Sequence, residues 1–360
     1  MPKRKVLALM EHGRGINTWK ARYAAGKVSE KVPYGYDVDD PEWDLVFSFD
    51  SRESRIVSIV RRGLLRILGF DLVHVWRNRK LAATADVVWT HTEHVHVAYT
   101  LLSSLSRHLP PALCQSVWLP EELTHLPWLK RRLATWALRR SSVNVSNSVA
   151  NVPHLEAIAP SRPLRYVAFG ISPEPFASIN HAGDSPPQGS PFRILALGND
   201  RHRDWATLIE AARNLTEVQF RVLTRHALPT DPSNNVEFAA AGSFDEVLAA
   251  YEWANLVCLP LTPNDHASGI TVALEATYAK RPLLVTNVGG LGAYLPSLKP
   301  FSLEPGADAK AWEIAIRRTQ ANEDGVLAKM LKAAQHDASA LDLTSRGYSR
   351  RLLDLTKDIV

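Results

Sequence analysis

Residues 266–291 read HASGITVALEATYAKRPLLVTNVGGL, and this stretch decides the fold. It begins with a polar loop that ends at Ser268-Gly269. Apolar residues at helical spacing follow and predict a helix over Gly269–Ala279. The short apolar run Pro282–Thr286 then predicts a buried strand. A loop, a helix and a strand in this order are typical of the βαβ units that build a parallel sheet.

The same alternation continues along the rest of the chain. Strands are predicted at Lys5–Met10, Asp44–Phe49, Asp71–Val75, Asp86–Thr90, Cys114–Leu119, Ser142–Val145, Arg165–Phe169, Phe192–Leu197, Val218–Thr224, Val236–Phe238 and Leu256–Pro260. Helices are predicted at Arg52–Leu68, His94–Ser106, Trp128–Arg140, Trp205–Asn214, Phe244–Trp253, Asp308–Gln320, Gly325–Ala338 and Leu343–Ile359. The pattern predicts an α/β protein with two Rossmann-like, doubly wound domains.

A segment rich in proline and glycine divides these elements into two sets. The predicted domains are residues 1–175 and 192–340, joined by a linker over 176–191, and a C-terminal helix over 341–360 packs back toward the first domain. A length of 360 residues agrees with two domains. Ligands of doubly wound sheets bind outside the carboxyl ends of the strands, so we expect the site in a cleft between the domains.

The composition excludes several classes of protein. Hydrophobic residues at 46% and charged residues at 22% exclude a disordered chain. Two cysteines exclude a disulfide framework and favour a reducing, cytoplasmic location. No signal peptide and no apolar run of membrane-spanning length is present, which predicts a soluble protein or one lying on a membrane surface. A net charge of +5 is too small to indicate a nucleic-acid partner.

Two loops of the second domain are candidates for binding a diphosphate. The first amides of the predicted helix, at Ser268, Gly269, Ile270 and Thr271, suit a phosphate, and Glu275 two turns later could accept hydrogen bonds from a ribose. The alternative is an ordinary helix start with a solvent-facing Glu. The loop Gly198–Asp204 carries Arg201 and Arg203, whose planar groups suit a diphosphate; its alternative is a solvated run of charges.

These segments resemble the C-terminal half of the retaining GT-B glycosyltransferases of family 4. The resemblance lies in Leu274-Glu-Ala-Thr-Tyr-Ala279, Arg281-Pro282, Thr286-Asn-Val-Gly-Gly290 and the preceding Leu256–Leu261. Phe169-Gly-Ile-Ser-Pro-Glu-Pro-Phe176 is similar to the turn that ends the family's first domain. The motifs are specific from about residue 165 to 295, and before that only the architecture is similar.

The resemblance implies roles for individual residues. Glu275 matches the second Glu of the family's Glu-x7-Glu motif, which is expected to bind the nucleotide ribose. Arg203 stands where the family has a lysine for the donor diphosphate. Asn199, after Gly198, takes the place of the usual arginine, whose charge Arg201 could supply. Ala267 replaces the first Glu, which is expected to touch the donor sugar, and His266 or Asp265 could compensate.

The first domain supplies further candidates at the ends of two predicted strands. Gly13 and Gly15 resemble the family's first loop, whose backbone amides approach the diphosphate or the reacting sugar; a plain turn is the alternative. His91 could bond the sugar or acceptor, and Glu93 could act as a base; both could instead cap the next helix. His91, Glu93, His94 and His96 lack the spacing of a zinc motif, and no Gly-x-Ser-x-Gly elbow is present.

The predicted function follows from the resemblance. It implies a retaining glycosyltransferase that moves a sugar from a UDP- or GDP-sugar to a saccharide acceptor, including a lipid-linked one, in glycan or exopolysaccharide synthesis. The family needs no metal and no cofactor besides the nucleotide sugar, and its acceptor attacks on the leaving-group face. Two alternatives stay open: a nucleotide-sugar epimerase, and a non-catalytic scaffold that binds sugar nucleotides.

The basic residues are concentrated in the first domain. Residues 1–170 contain 24 Lys and Arg against 15 Asp and Glu, whereas the remainder contains 18 against 22. The excess includes the arginines of the predicted helix Arg52–Leu68 and a second block over Trp128–Arg140, both interleaved with apolar residues. Such helices are typical of proteins that bind an anionic membrane surface, and sheet-covering helices with solvated arginines are the alternative.

Overall fold

The computed structural model describes residues 2–180, 191–226 and 233–360. The chain divides into two compact units. Unit 1 comprises Met1–Ala25, Glu30–Phe169 and Ser345–Val360, and unit 2 comprises Gly26–Ser29 and Gly170–Thr344. Of the predicted linker over 176–191, residues 181–190 lie outside the described residues. The residues before them do not behave as a linker, because Phe176 and Ile179 are buried in unit 2.

Unit 1 is built on a six-stranded sheet in which each pair of neighbouring strands is parallel. Its order is β2-β1-β3-β4-β5-β6, so the direction of winding reverses between β1 and β3. The strands are β1 (Arg4–Leu9), β2 (Trp43–Phe47), β3 (Val87–Thr90), β4 (Ala112–Ser116), β5 (Val143–Ser146) and β6 (Leu164–Tyr166). The runs that form β1 and β3 are apolar at successive positions because both faces of a parallel sheet are covered.

Helices cover both faces of this sheet. They are α1 (Ile16–Ala24), α2 (Arg55–Leu68), α3 (Leu72–Ala82), α4 (Glu93–Leu105), α5 (Leu119–Glu122), α6 (Trp128–Leu138), α7 (Val152–Ile158) and, from the end of the chain, α13 (Ser345–Lys357). Leu7 and Leu9 of β1 pack with residues of α3, α4 and α6 on one face. Val6 and Ala8 point to the other face, where α13 contributes Tyr348 and Leu352 to the core.

Unit 2 contains a five-stranded parallel sheet of order β11-β10-β7-β8-β9, in which the winding reverses between β7 and β10. Its strands are β7 (Phe192–Leu197), β8 (Val218–Leu223), β9 (Val236–Ala239), β10 (Leu256–Leu259) and β11 (Leu283–Val285). Its helices are α8 (Trp205–Arg213), α9 (Phe244–Trp253), α10 (Ile270–Tyr278), α11 (Ala309–Gln320) and α12 (Val326–Ala340). The predicted α/β class with two Rossmann-like doubly wound sheets is confirmed.

One predicted strand was wrong. Residues Asp71–Val75 form the start of α3, although the run of valine and leucine is typical of a strand. The Asp71 side chain accepts a hydrogen bond from the His74 amide and caps the helix, which satisfies one of its unpaired first amides. Helices α1 and α7 were not predicted at all, since neither has a clear apolar stripe.

None of the described helices is both long and apolar enough to cross a membrane. The longest of them, α12, has 15 residues. At about 1.5 Å per residue a helix of that length is shorter than the hydrocarbon layer of a bilayer.

Candidate functional site

The strand order of unit 2 brings the two candidate loops together. Strands β7 and β10 are hydrogen-bonded neighbours at the point where the winding reverses. The loop that begins at Gly198 follows β7, and the loop that contains His266 and Ser268 follows β10. Carboxyl ends of adjacent strands at such a reversal form the crevice in which doubly wound sheets bind ligands.

Arg203 links these two loops. Its Nη1 donates to Ser268 Oγ at 2.9 Å, and its Nε donates to the Leu197 carbonyl oxygen at 3.3 Å. The side chain is buried, and burial lowers the pKa of the guanidinium below its ordinary value. A buried guanidinium needs charge and hydrogen-bond partners, and these contacts fix it at the carboxyl end of the sheet.

Asp200 lies at the centre of the same cluster, although its sequence context predicted no role for it. Ser268 Oγ donates to Asp200 Oδ2 at 2.6 Å, and His266 Nε2 lies 3.1 Å from the same oxygen. Burial alone would raise the pKa of this carboxyl. Hydrogen bonds from His266, the His202 amide and Ser268 outweigh burial and hold the pKa well below 3.8. Asp200 is therefore an anion at neutral pH and orients both His266 and Ser268.

Two glycines give the cluster the space it needs. Gly198 has φ of +139°, and a Cβ there would lie 2.4 Å from Arg203 Nε. Gly269 has φ of +81° directly before α10, and a Cβ there would lie 2.8 Å from a Leu259 methyl group. Both positions favour glycine, because a side chain there would strain the backbone and would force the Arg203 or Leu259 side chain to shift.

The remaining predicted residues of unit 2 differ in exposure. Ile270 is buried, and its amide donates to the Ala267 carbonyl oxygen, so this amide has a partner within the loop. Thr271 is exposed in the first turn of α10. Asn199 accepts a hydrogen bond from the Arg225 amide at 2.7 Å, which ties it to the end of β8. Arg201 is exposed. The donor-binding roles of these four residues stay predictions, as do those of the other residues named from the sequence.

Glu275 has a partner that the sequence did not reveal. Its Oε2 accepts a hydrogen bond from the Tyr251 hydroxyl at 2.8 Å. Burial raises the pKa of Glu275 from 4.5 to about 7, against the lowering effects of the Tyr251 hydrogen bond and of the Arg203 charge. The carboxyl group thus changes its charge near neutral pH, and the Glu275 side chain is only partly exposed.

The first loop of unit 1 is held by an acidic side chain. The amides of Gly13 and Gly15 donate to the two carboxylate oxygens of Asp50, at 2.9 and 3.0 Å. A Cβ on Gly15 would lie 2.8 Å from the Asp50 amide nitrogen, so this loop packs tightly against the end of β2. The two amides that were predicted to bind the donor thus already donate to Asp50. Donor binding by Gly13 and Gly15 stays a prediction.

His91 lies at the reversal point of the first sheet. Its Nδ1 is 2.9 Å from the Tyr36 hydroxyl, and its ring centroid is 4.0 Å from that of Tyr34. Burial, with a smaller contribution from the Arg14 charge, lowers the pKa of His91 to about 3. The ring is therefore neutral at physiological pH. In the tautomer with hydrogen on Nε2, Tyr36 donates to Nδ1 and Nε2 is a donor.

Glu93 has a structural partner in the neighbouring loop. Its Oε2 accepts hydrogen bonds from the amides of Val117 and Trp118, at 3.0 and 3.4 Å. Burial raises the pKa of this carboxyl above 4.5. The neighbouring histidines bond elsewhere, His94 with the Gly69 carbonyl oxygen and His96 with the Ser141 hydroxyl. The roles of His91 and Glu93 in catalysis stay predictions.

The fold of the whole chain matches several solved structures. Sucrose-phosphate synthase from Thermosynechococcus elongatus has a TM-score of 0.70 at 16% identity, covering 99% of both chains. The Anabaena protein HepE in complex with UDP has a TM-score of 0.67 at 14% identity, covering 98% of this chain and 100% of that one.

The chain has the GT-B fold. A trehalose-phosphate synthase from Burkholderia xenovorans, solved with glucose-6-phosphate, also matches, with a TM-score of 0.66 at 14% identity over 98% of this chain and 99% of that one. HepE has also been solved with UDP-glucose. At these identities the matches concern the fold alone.

A sequence match points in the same direction. The D-inositol 3-phosphate glycosyltransferase of Corynebacterium urealyticum is 31% identical over 106 residues, which are 29% of this chain and 24% of that protein. The match thus spans about a quarter of the curated relative, and no family model matches the chain. The resemblance to glycosyltransferases predicted from the sequence is confirmed by these similarities.

Proposed function

We propose that the protein is a retaining glycosyltransferase that transfers a sugar from a nucleoside-diphosphate sugar to a saccharide acceptor. The observation that carries this proposal is the cluster of Arg203, Ser268 and Asp200 at the reversal point of the second sheet. It places a fixed cation beside the first turn of α10. The proposed donor site lies there, with Glu275 two turns further along the same helix.

The proposed reaction needs stabilisation of a departing diphosphate. The bond between the sugar C1 and the diphosphate oxygen breaks, and the acceptor hydroxyl forms the new bond to C1. The acceptor proton passes to the departing diphosphate, so atoms and charges balance without a nucleophile from the chain. Arg203 and the positive end of α10 face the charge that develops, which is the largest single contribution in reactions of this kind.

UDP is the nucleotide that we propose for the donor, with GDP as the alternative. The choice of UDP is supported by the HepE complexes with UDP and UDP-glucose. A sugar phosphate or a lipid-linked saccharide is proposed as acceptor, the first because of the glucose-6-phosphate complex of the trehalose-phosphate synthase. A cytoplasmic location fits the two cysteines, Cys114 and Cys258, both buried as free thiols.

The comparisons lend no support to the two alternatives, an epimerase and a non-catalytic scaffold. Incubation of the protein with UDP-glucose alone distinguishes the first, because an epimerase forms a second sugar nucleotide without an acceptor. The non-catalytic scaffold is distinguished by a second assay, in which UDP release is measured with and without an added saccharide, sugar phosphate or lipid extract. A scaffold would release no UDP in either case.

The donor site is tested by titration calorimetry with UDP and GDP on Arg203→Ala and Arg203→Lys. Loss of a charged hydrogen-bond donor to phosphate weakens binding about tenfold to a hundredfold, so we expect that loss in Arg203→Ala. Lysine stands at this position in the resembling family, and Arg203→Lys should retain most of the affinity. Equal affinity of all three proteins for UDP would contradict the site.

A further inference from the structure

Helix α2 exposes its apolar side chains. Ile56, Ile59 and Ile67 are 75%, 62% and 65% exposed, and Val60 and Leu64 are also exposed. Spacings of three, four, seven and eight residues place these side chains on one side of the helix. A helix that merely covers a sheet buries such a stripe, so this orientation needs an explanation.

A buried arginine fixes that orientation. Arg61 lies on the inner side of α2, where its Nε donates to Glu53 at 3.0 Å and its Nη1 donates to Asp71 at 2.7 Å. The Arg61 side chain is only 9% exposed, and both carboxylates are similarly buried. Rolling the helix to bury the isoleucines would pull this guanidinium out of its two ion pairs, so the apolar side is held outward.

Positive charge borders the exposed apolar side. Arg55, Arg62 and Arg66 are exposed, and spacings of four, seven and eleven residues align them along one edge of that side. At its C-terminal end α2 meets α6, because Lys130 Nζ donates to the Arg66 carbonyl oxygen at 2.7 Å. The surface formed by the apolar side chains and arginines of α2 therefore borders α6.

Helix α6 adds an aromatic side chain to the same region. Trp128 and Leu129, next to Lys130, are 62% and 49% exposed, and the Arg132 guanidinium lies 5.2 Å from the Trp128 ring centroid. Exposed tryptophans with adjacent cations favour the boundary between lipid headgroups and acyl chains. We define the α2–α6 surface as Ile56, Ile59, Val60, Leu64, Ile67, Trp128 and Leu129 with the bordering Arg55, Arg62, Arg66 and Arg132.

We infer that the α2–α6 surface docks on an anionic lipid bilayer. The isoleucines and Trp128 would enter the interface, and the arginine row would contact the negative headgroups. Charge decides between this partner and a second copy of the chain. In a symmetric dimer the same surface meets itself, which would bring two arginine rows together. Residues 1–170, with 24 basic against 15 acidic residues, add attraction to an anionic membrane.

This inference goes beyond the proposed function, because binding to vesicles requires neither a donor nor catalysis. It also favours a lipid-linked acceptor for the proposed function, because a unit bound to a bilayer would meet acceptors carried on lipids. The two proposals are tested separately, one by vesicle binding and the other by UDP binding on the same variants.

The first experiment is flotation of the protein with vesicles of phosphatidylcholine containing phosphatidylglycerol as about a third of the lipid. We expect binding to these vesicles and much weaker binding to pure phosphatidylcholine. Ile59→Ser/Ile67→Ser should bind at least tenfold more weakly. Ile314→Ser, at a position of unit 2 that is 59% exposed, is the matched control and should bind like the wild type. Arg62→Gln should weaken binding about fivefold.

A second readout locates the contact. Because Cys114 and Cys258 are buried, a cysteine introduced by Ile59→Cys can be labelled selectively with an environment-sensitive fluorophore. The label should move to shorter emission wavelength on addition of anionic vesicles, whereas the same label at Ile314→Cys should not.

Several results would overturn the inference. The first is that the wild type does not bind to anionic vesicles. The second is that the wild type and Ile59→Ser/Ile67→Ser bind equally well. The third is that the labels at Ile59→Cys and Ile314→Cys show equal spectral shifts. A dimer in sedimentation that is lost in Ile59→Ser/Ile67→Ser, together with no vesicle binding, would assign the surface to a second copy instead. Vesicle binding without UDP binding would contradict only the proposed function.

Discussion

Replacing Glu275 by glutamine should change how the stability of the protein depends on pH. The carboxyl group is buried beside Tyr251, and burial raises its pKa from 4.5 to about 7. Glutamine has nearly the same shape and still offers an oxygen to the Tyr251 hydroxyl. Glu275→Gln therefore removes the titration while keeping the packing and the hydrogen bond.

The magnitude follows from the two pKa values. The folded-state pKa is higher than the unfolded one, so the contribution of Glu275 to stability is fully present below pH 4.5 and is lost as the pH rises through 7. At about 1.4 kcal/mol per pKa unit the whole loss amounts to about 3 kcal/mol. The variant should thus become more stable relative to the wild type by that amount, with most of the change between pH 5 and pH 7.

The assay is urea unfolding of both proteins at a series of pH values, with the difference in free energy of unfolding plotted against pH. Taking the difference cancels the titration of other groups. Glu210→Gln is the matched control, because its side chain is 56% exposed and pairs with Arg213 at the surface. The difference between this control and the wild type should stay nearly flat.

A second variant checks the cause of the shift. The Tyr251 hydrogen bond lowers the pKa of Glu275, so Tyr251→Phe should move the midpoint of the titration upward by about one pH unit. A difference curve for Glu275→Gln that is flat from pH 5 to pH 8 would refute the reasoning, as would a slope of opposite sign.

Two further substitutions test other features of the structure. Gly198→Ala places a methyl group against Arg203 Nε, at a residue whose φ is +139°. It should therefore displace the guanidinium and weaken UDP binding at least tenfold in calorimetry. Unchanged affinity for UDP would contradict the role of the Arg203 position in donor binding. Arg61→Ala leaves the Glu53 and Asp71 carboxylates without their shared cation. It should lower the free energy of unfolding in urea by about 3 kcal/mol. Arg62→Ala, at an exposed position, should change the free energy of unfolding by less than about 0.5 kcal/mol. Equal effects of the two would contradict the ion-pair network.

Local sequence patterns were sufficient to predict the fold because its strands are short apolar runs between turn signals. The reversal points explain why residues predicted in separate loops, such as Arg203 and Ser268, come within hydrogen-bonding distance. The strand predicted at Asp71–Val75 failed for a local reason. A side-chain cap outweighed the strand preference of a β-branched run, and single-sequence propensity contains no term for that competition.

The partners of the candidate residues could not be predicted in the same way. Asp50 reaches Gly13 across 37 positions, Asp200 reaches Ser268 across 68, and Tyr251 reaches Glu275 from another helix. None of these pairs has a spacing rule, because the contacts depend on how the helices and loops pack. The pattern of α2 likewise predicted an amphipathic helix but not which side faces solvent, since that depends on the burial of Arg61.

Because of helix α13, the two units differ in how continuous they are along the sequence. Unit 2 is almost one continuous segment, whereas unit 1 needs its last 16 residues, Ser345–Val360, returned after the other unit is complete. Within α13, Thr356 accepts a hydrogen bond from the Trp89 indole at 2.7 Å, and Tyr348 and Leu352 are fully buried against the sheet. During synthesis on the ribosome, the first sheet therefore waits until Ser345–Val360 has been made before one of its faces is closed. A chain that stopped before Ser345 would leave that face uncovered and would be a target for chaperones and proteases, even though all six strands of the sheet had been made.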